Sequence, residues 1–301
     1  MDNFSASLLN KIRWKLRSFE KLDWQAECHR VFPDRAHVII GATEQIIEIN
    51  SRGQHRSISE RGNIAETFDF ANYIRLSAIR LCAIFAMLDR QGLRNLKVLD
   101  YGSYFGNLSL SALRLGYDVV AIDNYGDKES DFDSSIQFLK KNKVKLYDWA
   151  PDALEKNSHS KKEAFDLVFS LGTIEHIPHT PKYFLQSLSQ MVKPGGYMVV
   201  ETPNLAYWPQ RKKMLAGNSP HPDIGIQFHT QIPFFGHHRE FTISELDYMM
   251  GEVGYEILDR ASCNYSYFGF DKIYGEDRED FDMVRSNETM SEVISVLGRK
   301  R

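Results

Sequence analysis

Cysteine is scarce and scattered in this chain. Cys28, Cys82 and Cys263 are odd in number, far apart and without a C-x-x-C pair. Neither a disulfide framework nor a thiolate zinc cluster is expected, and a reducing, cytoplasmic setting fits best. Long apolar runs are missing too. The longest, LCAIFAML at residues 81–88, falls far short of the roughly 20 residues that cross a bilayer, so no transmembrane segment is expected. The opening stretch MDNFSASLLNKIRWKLRSFEKLDW lacks the apolar core and cleavage site of a signal peptide. There is no long basic run. With 37 Lys and Arg against 40 Asp and Glu, the formal net charge is −3, which disfavours nucleic acid as a partner. Internal repeats and low-complexity tracts are absent as well. What remains is an ordinary globular composition, 43% hydrophobic and 26% charged over 301 residues, enough for one or two domains.

The chain starts with an amphipathic pattern. Leu8, Leu9, Ile12, Trp14, Leu16, Phe19, Leu22 and Trp24 recur near helical spacing, with Lys11, Arg13, Lys15 and Arg17 between them. A helix packed on the main domain is expected, and a membrane-surface or partner-binding helix is the alternative. Residues 36–50 (AHVIIGATEQIIEIN) contain two β-like runs around Gly41–Ala42, and a polar loop follows. A strong helix pattern covers 68–90. From residue 97 strand-like runs (97–101, 118–123, 144–147, 165–170, 196–202, 255–259) alternate with helix-like segments (106–115, 132–141, 180–192, 243–253). That alternation predicts an α/β fold, a doubly wound, mostly parallel sheet whose strand C-termini line one ligand-binding edge. The division expected is an extension over 1–67, a domain over 68–270 with an aromatic insertion at 204–240, and a tail over 271–301. The acidic run EDREDFD at 276–282 reads as solvated surface.

The stretch KVLDYGSYFGNLSL (97–110) carries the most chemical information. A strand runs through a glycine loop into a helix, an arrangement that often holds a nucleotide-like cofactor. A dinucleotide fingerprint G-x-G-x-x-G starting at Gly102 would need glycine at 104 and 107, where Tyr104 and Asn107 stand. Asp-x-Gly-x-x-x-Gly fits instead, through Asp100, Gly102 and Gly106.

That pattern resembles motif I of the class I S-adenosylmethionine-dependent methyltransferases, of the small-molecule type. Four further segments carry the resemblance in the family's order: VVAID at 119–123, FDLVFS with IEH at 165–176, VKPGGYMVV at 192–200, and HREFT with GYEI at 238–257. The resemblance implies a seven-stranded Rossmann-like methyltransferase sheet and S-adenosyl-L-methionine as cofactor. By position it assigns Gly102 and Gly106 to close backbone approach, and Ser103, Tyr104 and Phe105 to the methionine end. Asp100 would orient the loop or take the cofactor's ammonium. Asp123 would hold the ribose with Asn124 beside it, Asp148 and Trp149 would frame the adenine, and Ser170 and Leu171 would lie beneath the cofactor. Tyr73 or Arg75 would reach its carboxylate. The ring of Tyr104 should turn away or shield the site; a ring in the cofactor's place would mark a non-catalytic scaffold.

An aliphatic hydroxyl acceptor keeps its proton and needs a base near the methyl group, whereas an amine does not. Six of ten histidines fall between residues 176 and 238. His176 and His238 are the first candidates for that base, with His237 behind them and Glu175 as a loop support. No HExxH motif or carboxylate cluster is present, so no metal is expected. The insertion's Tyr207, Trp208, Phe228, Phe234 and Phe235, with Arg211, Lys212 and Lys213, would suit a carbohydrate or nucleotide-linked sugar, or simply pack as a lid. The expected function is O-methylation of a small polar acceptor such as a sugar or glycan precursor. N- or C-methylation and a non-catalytic binding role are the alternatives. The N-terminal residues could instead cap the site, form a homodimer contact or bind a partner.

Overall fold

The computed structural model describes residues 18–51, 69–125, 133–149, 153–221, 224–230, 234, 236–269 and 272–301. Among these described residues nine strands run β1 (Ser18–Glu20), β2 (Lys97–Tyr101), β3 (Asp118–Asp123), β4 (Lys145–Asp148), β5 (Phe165–Leu171), β6 (Val192–Pro203), β7 (Tyr255–Cys263), β8 (Lys272–Tyr274) and β9 (Val293–Lys300). Seven form one sheet in the order β4-β3-β2-β5-β6-β9-β7, with only β9 antiparallel to its neighbours; β1 and β8 pair separately. The chain steps outward from β2 to β4, then returns to place β5 on the other side of β2. The sheet therefore reverses direction between β2 and β5, and a crevice opens there at the strand C-termini.

Alternation along each strand sends residues to two different cores. Val98, Leu167, Phe169 and Val199 face one side, against the helices Trp24–Val31, Ala36–Asn50, Phe70–Arg90 and Asn107–Arg114. Leu99, Val168, Met198 and Val200 face the other, against Pro181–Met191 and Ile243–Glu252. The Phe70–Arg90 helix is long and apolar enough to cross a membrane, but 67% of that stretch is buried inside the fold.

Two sequence expectations change. Residues 36–50 form one helix, not two strands. Its buried residues, Ala36, Ile39, Ala42, Thr43, Ile46, Ile47 and Asn50, repeat with helical spacing through Gly41. The isoleucine pairs suggest strands only when read in short windows. The tail expected over 271–301 is not peripheral either. It ends in β9, which inserts between β6 and β7 and completes the sheet. The acidic run sits on the Gly275–Ser286 helix, whose Phe281 and Val284 are buried and whose Phe281 ring lies 5.2 Å from Tyr267. Only part of that run is solvated surface. Residues 1–17, most of the amphipathic stretch, lie outside the described residues.

Because β9 has a partner on each side and Leu297 is fully buried, Leu297→Ala should lower the unfolding free energy by about 2–5 kcal/mol. Chemical denaturation measures this. A loss well under 1 kcal/mol would show that the sheet does not depend on its C-terminal strand.

Candidate active site

The loop after β2 is shaped by backbone conformation. Gly102 has φ 82° and Gly106 has φ 83°, the left-handed region that suits glycine. Packing adds a second reason. A Cβ on Gly102 would lie 2.5 Å from Thr173 Oγ1, and one on Gly106 would strike Leu139. These glycines thus admit neighbouring protein segments at close range. Tyr104 is also left-handed, at φ 49°, a strain of about 1–2 kcal/mol for a residue with a Cβ. Its N–H donates to Asp123 Oδ2 at 2.7 Å, and Asp123 Oδ1 accepts from Asn124 N. The acid ending β3 therefore clamps the loop that ends β2.

A cleft lies between this loop and the Phe70–Arg90 helix. Asp100, Gly102, Ser103, Tyr104 and Leu171 line it, joined by Tyr73, Ser77 and Arg80 from the helix. The Tyr104 ring is part of the wall, edge-on to Tyr73 at 6.0 Å and to Phe105 at 4.4 Å. Ser103 shares a 2.5 Å hydrogen bond with the Tyr125 hydroxyl. Asp100 is buried and accepts from Ser109 Oγ at 2.6 Å. Burial raises its carboxyl to about 7, with the Asp123 charge adding to the rise and the Ser109 bond opposing it.

Several expected residues lie outside the lining of this cleft. Asp148 Oδ1 accepts from Tyr125 N at 2.9 Å, and the Trp149 side chain is buried in the second core beside Tyr147. Ser170 is fully buried off the cleft lining, and its Oγ has no hydrogen-bond partner. Arg75 points away, to Glu44 at 3.1 Å. The arginine of the cleft is Arg80, paired with Glu201 through Nε–Oε2 at 3.2 Å. Burial pulls the Arg80 guanidinium down, but the Glu201 charge, with Tyr73 and Tyr265 adding, holds it above its ordinary value. Helical spacing carried this signal: 73, 77 and 80 share one face, whereas 75 is on another.

A second polar group adjoins the cleft. Glu175 and His176 follow β5 in the short turn Ile174–His176, and the insertion docks on that turn: His238 N donates to the Glu175 carbonyl at 2.7 Å. This brings His237 to His176, with ring centres 4.9 Å apart and planes at 81°. His237 Nδ1 bonds Glu240 Oε1 at 2.9 Å, and Gln210 Nε2 donates to Glu240 Oε2 at 3.0 Å. Burial lowers the His237 pKa, but the Glu240 bond and the Glu175 charge raise it above the ordinary value. Glu175 is buried, which raises its carboxyl to about 7 against the pull of His237. His238 does not join this pair in the same way; its Nε2 meets the Phe234 carbonyl at 3.1 Å. Gly172 lies between Arg80 of the cleft and Glu175 of the cluster. A Cβ there would lie 3.4 Å from Arg80 Nη2 and 3.5 Å from Glu175 Oε1.

A family model described as a methyltransferase domain matches residues 71–260. The chain belongs to the methyltransferase-domain family. Its cofactor is S-adenosylmethionine. Two curated relatives are both named ubiquinone biosynthesis O-methyltransferase. The protein from Pelagibacter ubique (strain HTCC1062) is 32% identical over 113 residues, 37% of this chain and 44% of the relative. That from Caulobacter sp. (strain K31) is 30% identical over 149 residues, 48% of this chain and 56% of the relative. The chain thus spans about half the length of the curated relatives it matches. Among solved structures, a Thermotoga maritima S-adenosylmethionine-dependent methyltransferase, described as a possible histamine N-methyltransferase, is 14% identical with TM-score 0.50. That likeness covers 77% of this chain and 95% of that one and shows the fold alone.

The residues fit the family's cofactor. The left-handed loop borders a cleft at the β2/β5 reversal, and Tyr104 is part of its wall. Asp123, an acid at the end of β3, accepts a backbone N–H on each oxygen and stands against that loop.

Asp100 supplies a test. In the unfolded chain its carboxyl titrates near pH 4, at roughly the free aspartate value. From there up to about pH 7 the folded state holds a proton that the unfolded state has lost. Stability from this group is full below the unfolded pKa and is lost as pH rises through that window. Asp100→Asn keeps an acceptor for Ser109 without the charge. The melting temperature of the variant, relative to the parent, should be higher at pH 8 than at pH 5. A difference independent of pH would show that Asp100 does not titrate there.

Proposed function

We propose that this methyltransferase transfers the methyl group to a hydroxyl of a small polar acceptor. The observation that carries the proposal is the cluster of Glu175, His176, His237 and Glu240 beside the cleft. S-adenosylmethionine supplies an electrophilic methyl on a sulfonium, so the acceptor oxygen must be aligned in line with it and must lose its proton. The chain provides the group for that second task. Glu240 holds His237 through Nδ1, so Nε2 faces the other way with a lone pair in the neutral tautomer. His176 stands edge-on beside it. The word O-methyltransferase in the names of the curated relatives agrees with a hydroxyl acceptor.

A sugar or glycan precursor is the acceptor class we favour, because the cluster is rich in hydrogen-bonding groups and Phe234 adds an aromatic face against His238, 5.2 Å away. Two of the insertion's three basic residues lend no support to a nucleotide-linked sugar. Arg211 donates to the carbonyls of Ala206 and Thr289, and Lys212 pairs with Asp280. Tyr207 and Trp208 pack on the core, and Phe235 lies outside the described residues.

Calorimetry should find S-adenosylmethionine and S-adenosylhomocysteine both binding. Absence of binding at millimolar concentration would sink the proposal. With a panel of sugars and phenols as acceptors, His237→Ala should slow turnover roughly 10²-fold while leaving S-adenosylhomocysteine affinity unchanged. An amine acceptor methylated at undiminished rate by that variant would favour N-methylation instead.

A further inference from the structure

The lone pair that His237 directs away from Glu240 can bind a cation as readily as a proton. We propose that Glu175, His176 and His237 form a binding site for one divalent first-row transition metal ion.

Three observations converge. First, one ligand atom from each residue can be chosen so that all three lie within 4.8 Å of one another. Ligands bound about 2.1 Å from a common tetrahedral ion stand roughly 3.4 Å apart, so side-chain rotations of about an ångström close the triangle. Second, Glu175 is 2% exposed, and its Oε2 has no hydrogen-bond partner. A buried carboxylate oxygen without a partner is costly, and a cation is a partner that no described residue supplies. Third, the outer contacts suit a metal ligand. His237 bonds the Glu240 carboxylate through Nδ1, and Gln210 holds Glu240 in turn, the carboxylate–imidazole arrangement that orients metal-bound histidine. Carboxylates also gather here. Glu201 and Glu240 act on the cluster, and the Arg80 guanidinium is paired with Glu201.

Two imidazoles and one carboxylate favour Zn²⁺, Mn²⁺ or Fe²⁺ over Mg²⁺ or Ca²⁺, which prefer all-oxygen shells. Three protein ligands leave positions open for an acceptor. In the O-methyltransferase reading, on which this consequence rests, an acceptor hydroxyl on the ion would lose its proton more easily, to solvent, with His237 then serving as a ligand in place of a base. The sequence pattern did not reveal the set, because His237 lies 61 positions beyond His176 and arrives only with the insertion.

The test uses the full chain after chelator treatment. Titration with Zn²⁺, checked by elemental analysis, should give one ion per chain. His176→Ala and His237→Ala should each weaken Zn²⁺ binding by at least 10-fold, and the double variant should abolish it. His159→Ala, at an exposed histidine with no contact to the cluster, should change nothing. S-adenosylhomocysteine affinity and the circular dichroism spectrum should persist in every variant, which separates loss of the ion from loss of the fold. Glu175→Gln should behave like the histidine variants; if it does not fold, the two partly exposed histidines decide. A parent that binds no Zn²⁺, or a double variant that binds it as tightly as the parent, would overturn the site. Absence of S-adenosylhomocysteine binding would instead count against the methyltransferase reading and leave the metal result standing.

Discussion

The buried pair Arg80–Glu201 joins the parts on which this site is built. Arg80 comes from the long helix on one face of the sheet, and Glu201 from β6. The side chain of Glu201 holds the guanidinium, while its backbone carbonyl accepts from Gly172 N at 3.1 Å. Helix, central strand and the turn after β5 are thereby fixed to one another at the point where the sheet reverses. Removing either partner would leave an uncompensated buried charge, worth about 3–5 kcal/mol in comparable cases. The pair also sets the wall of the cleft, because Arg80 lines it and Gly172 passes within contact distance.

Around that junction, close approach takes the place of bulk. Gly102 admits Thr173, Gly106 admits Leu139, and Gly172 lies between Arg80 and Glu175. The cofactor loop, the turn after β5 and the helix Asp133–Lys141 can then meet without side chains holding them apart. Support comes from further away as well. Thr43 donates to Asn107 Oδ1 at 3.1 Å, and Asn107 Nδ2 donates to Ser77 at 3.0 Å. The helix Ala36–Asn50, which the family match does not include, therefore braces the first turn after the loop. The insertion is braced in the same manner from the C-terminal side, by Trp208 Nε1 donating to Asp280 at 2.9 Å.

Much of this was legible in the chain. The six strand-like runs from residue 97 onward coincide with β2 to β7, because each pairs β-branched or aliphatic residues with a turn signal. The loop motif, the acid at Asp123 and the turn carrying Glu175 and His176 were also visible, since each is a short local pattern. The misreadings have physical causes. Residues 36–50 hold enough isoleucine to mimic strands, and only the spacing over four turns identifies the helix. β9 follows an acidic helix and needs two antiparallel neighbours before it is a strand at all. Trp149 was expected to face the cofactor because it follows a strand end, yet burial in the second core suits its ring better.

By itself, the sequence determined the alternation of strand and helix, the glycine loop after β2 and the acid that ends β3. Those features depend on backbone conformation and on the spacing of apolar residues along a few turns. Tertiary structure alone decided which polar side chains share a site. Arg80 rather than Arg75 enters the cleft because of the helix face turned to the sheet. His237 rather than His238 reaches His176 because the insertion hydrogen-bonds across to the Glu175 carbonyl. Helical spacing puts 73, 77 and 80 on one face, but what that face and the insertion meet depends on contacts between segments distant in the chain.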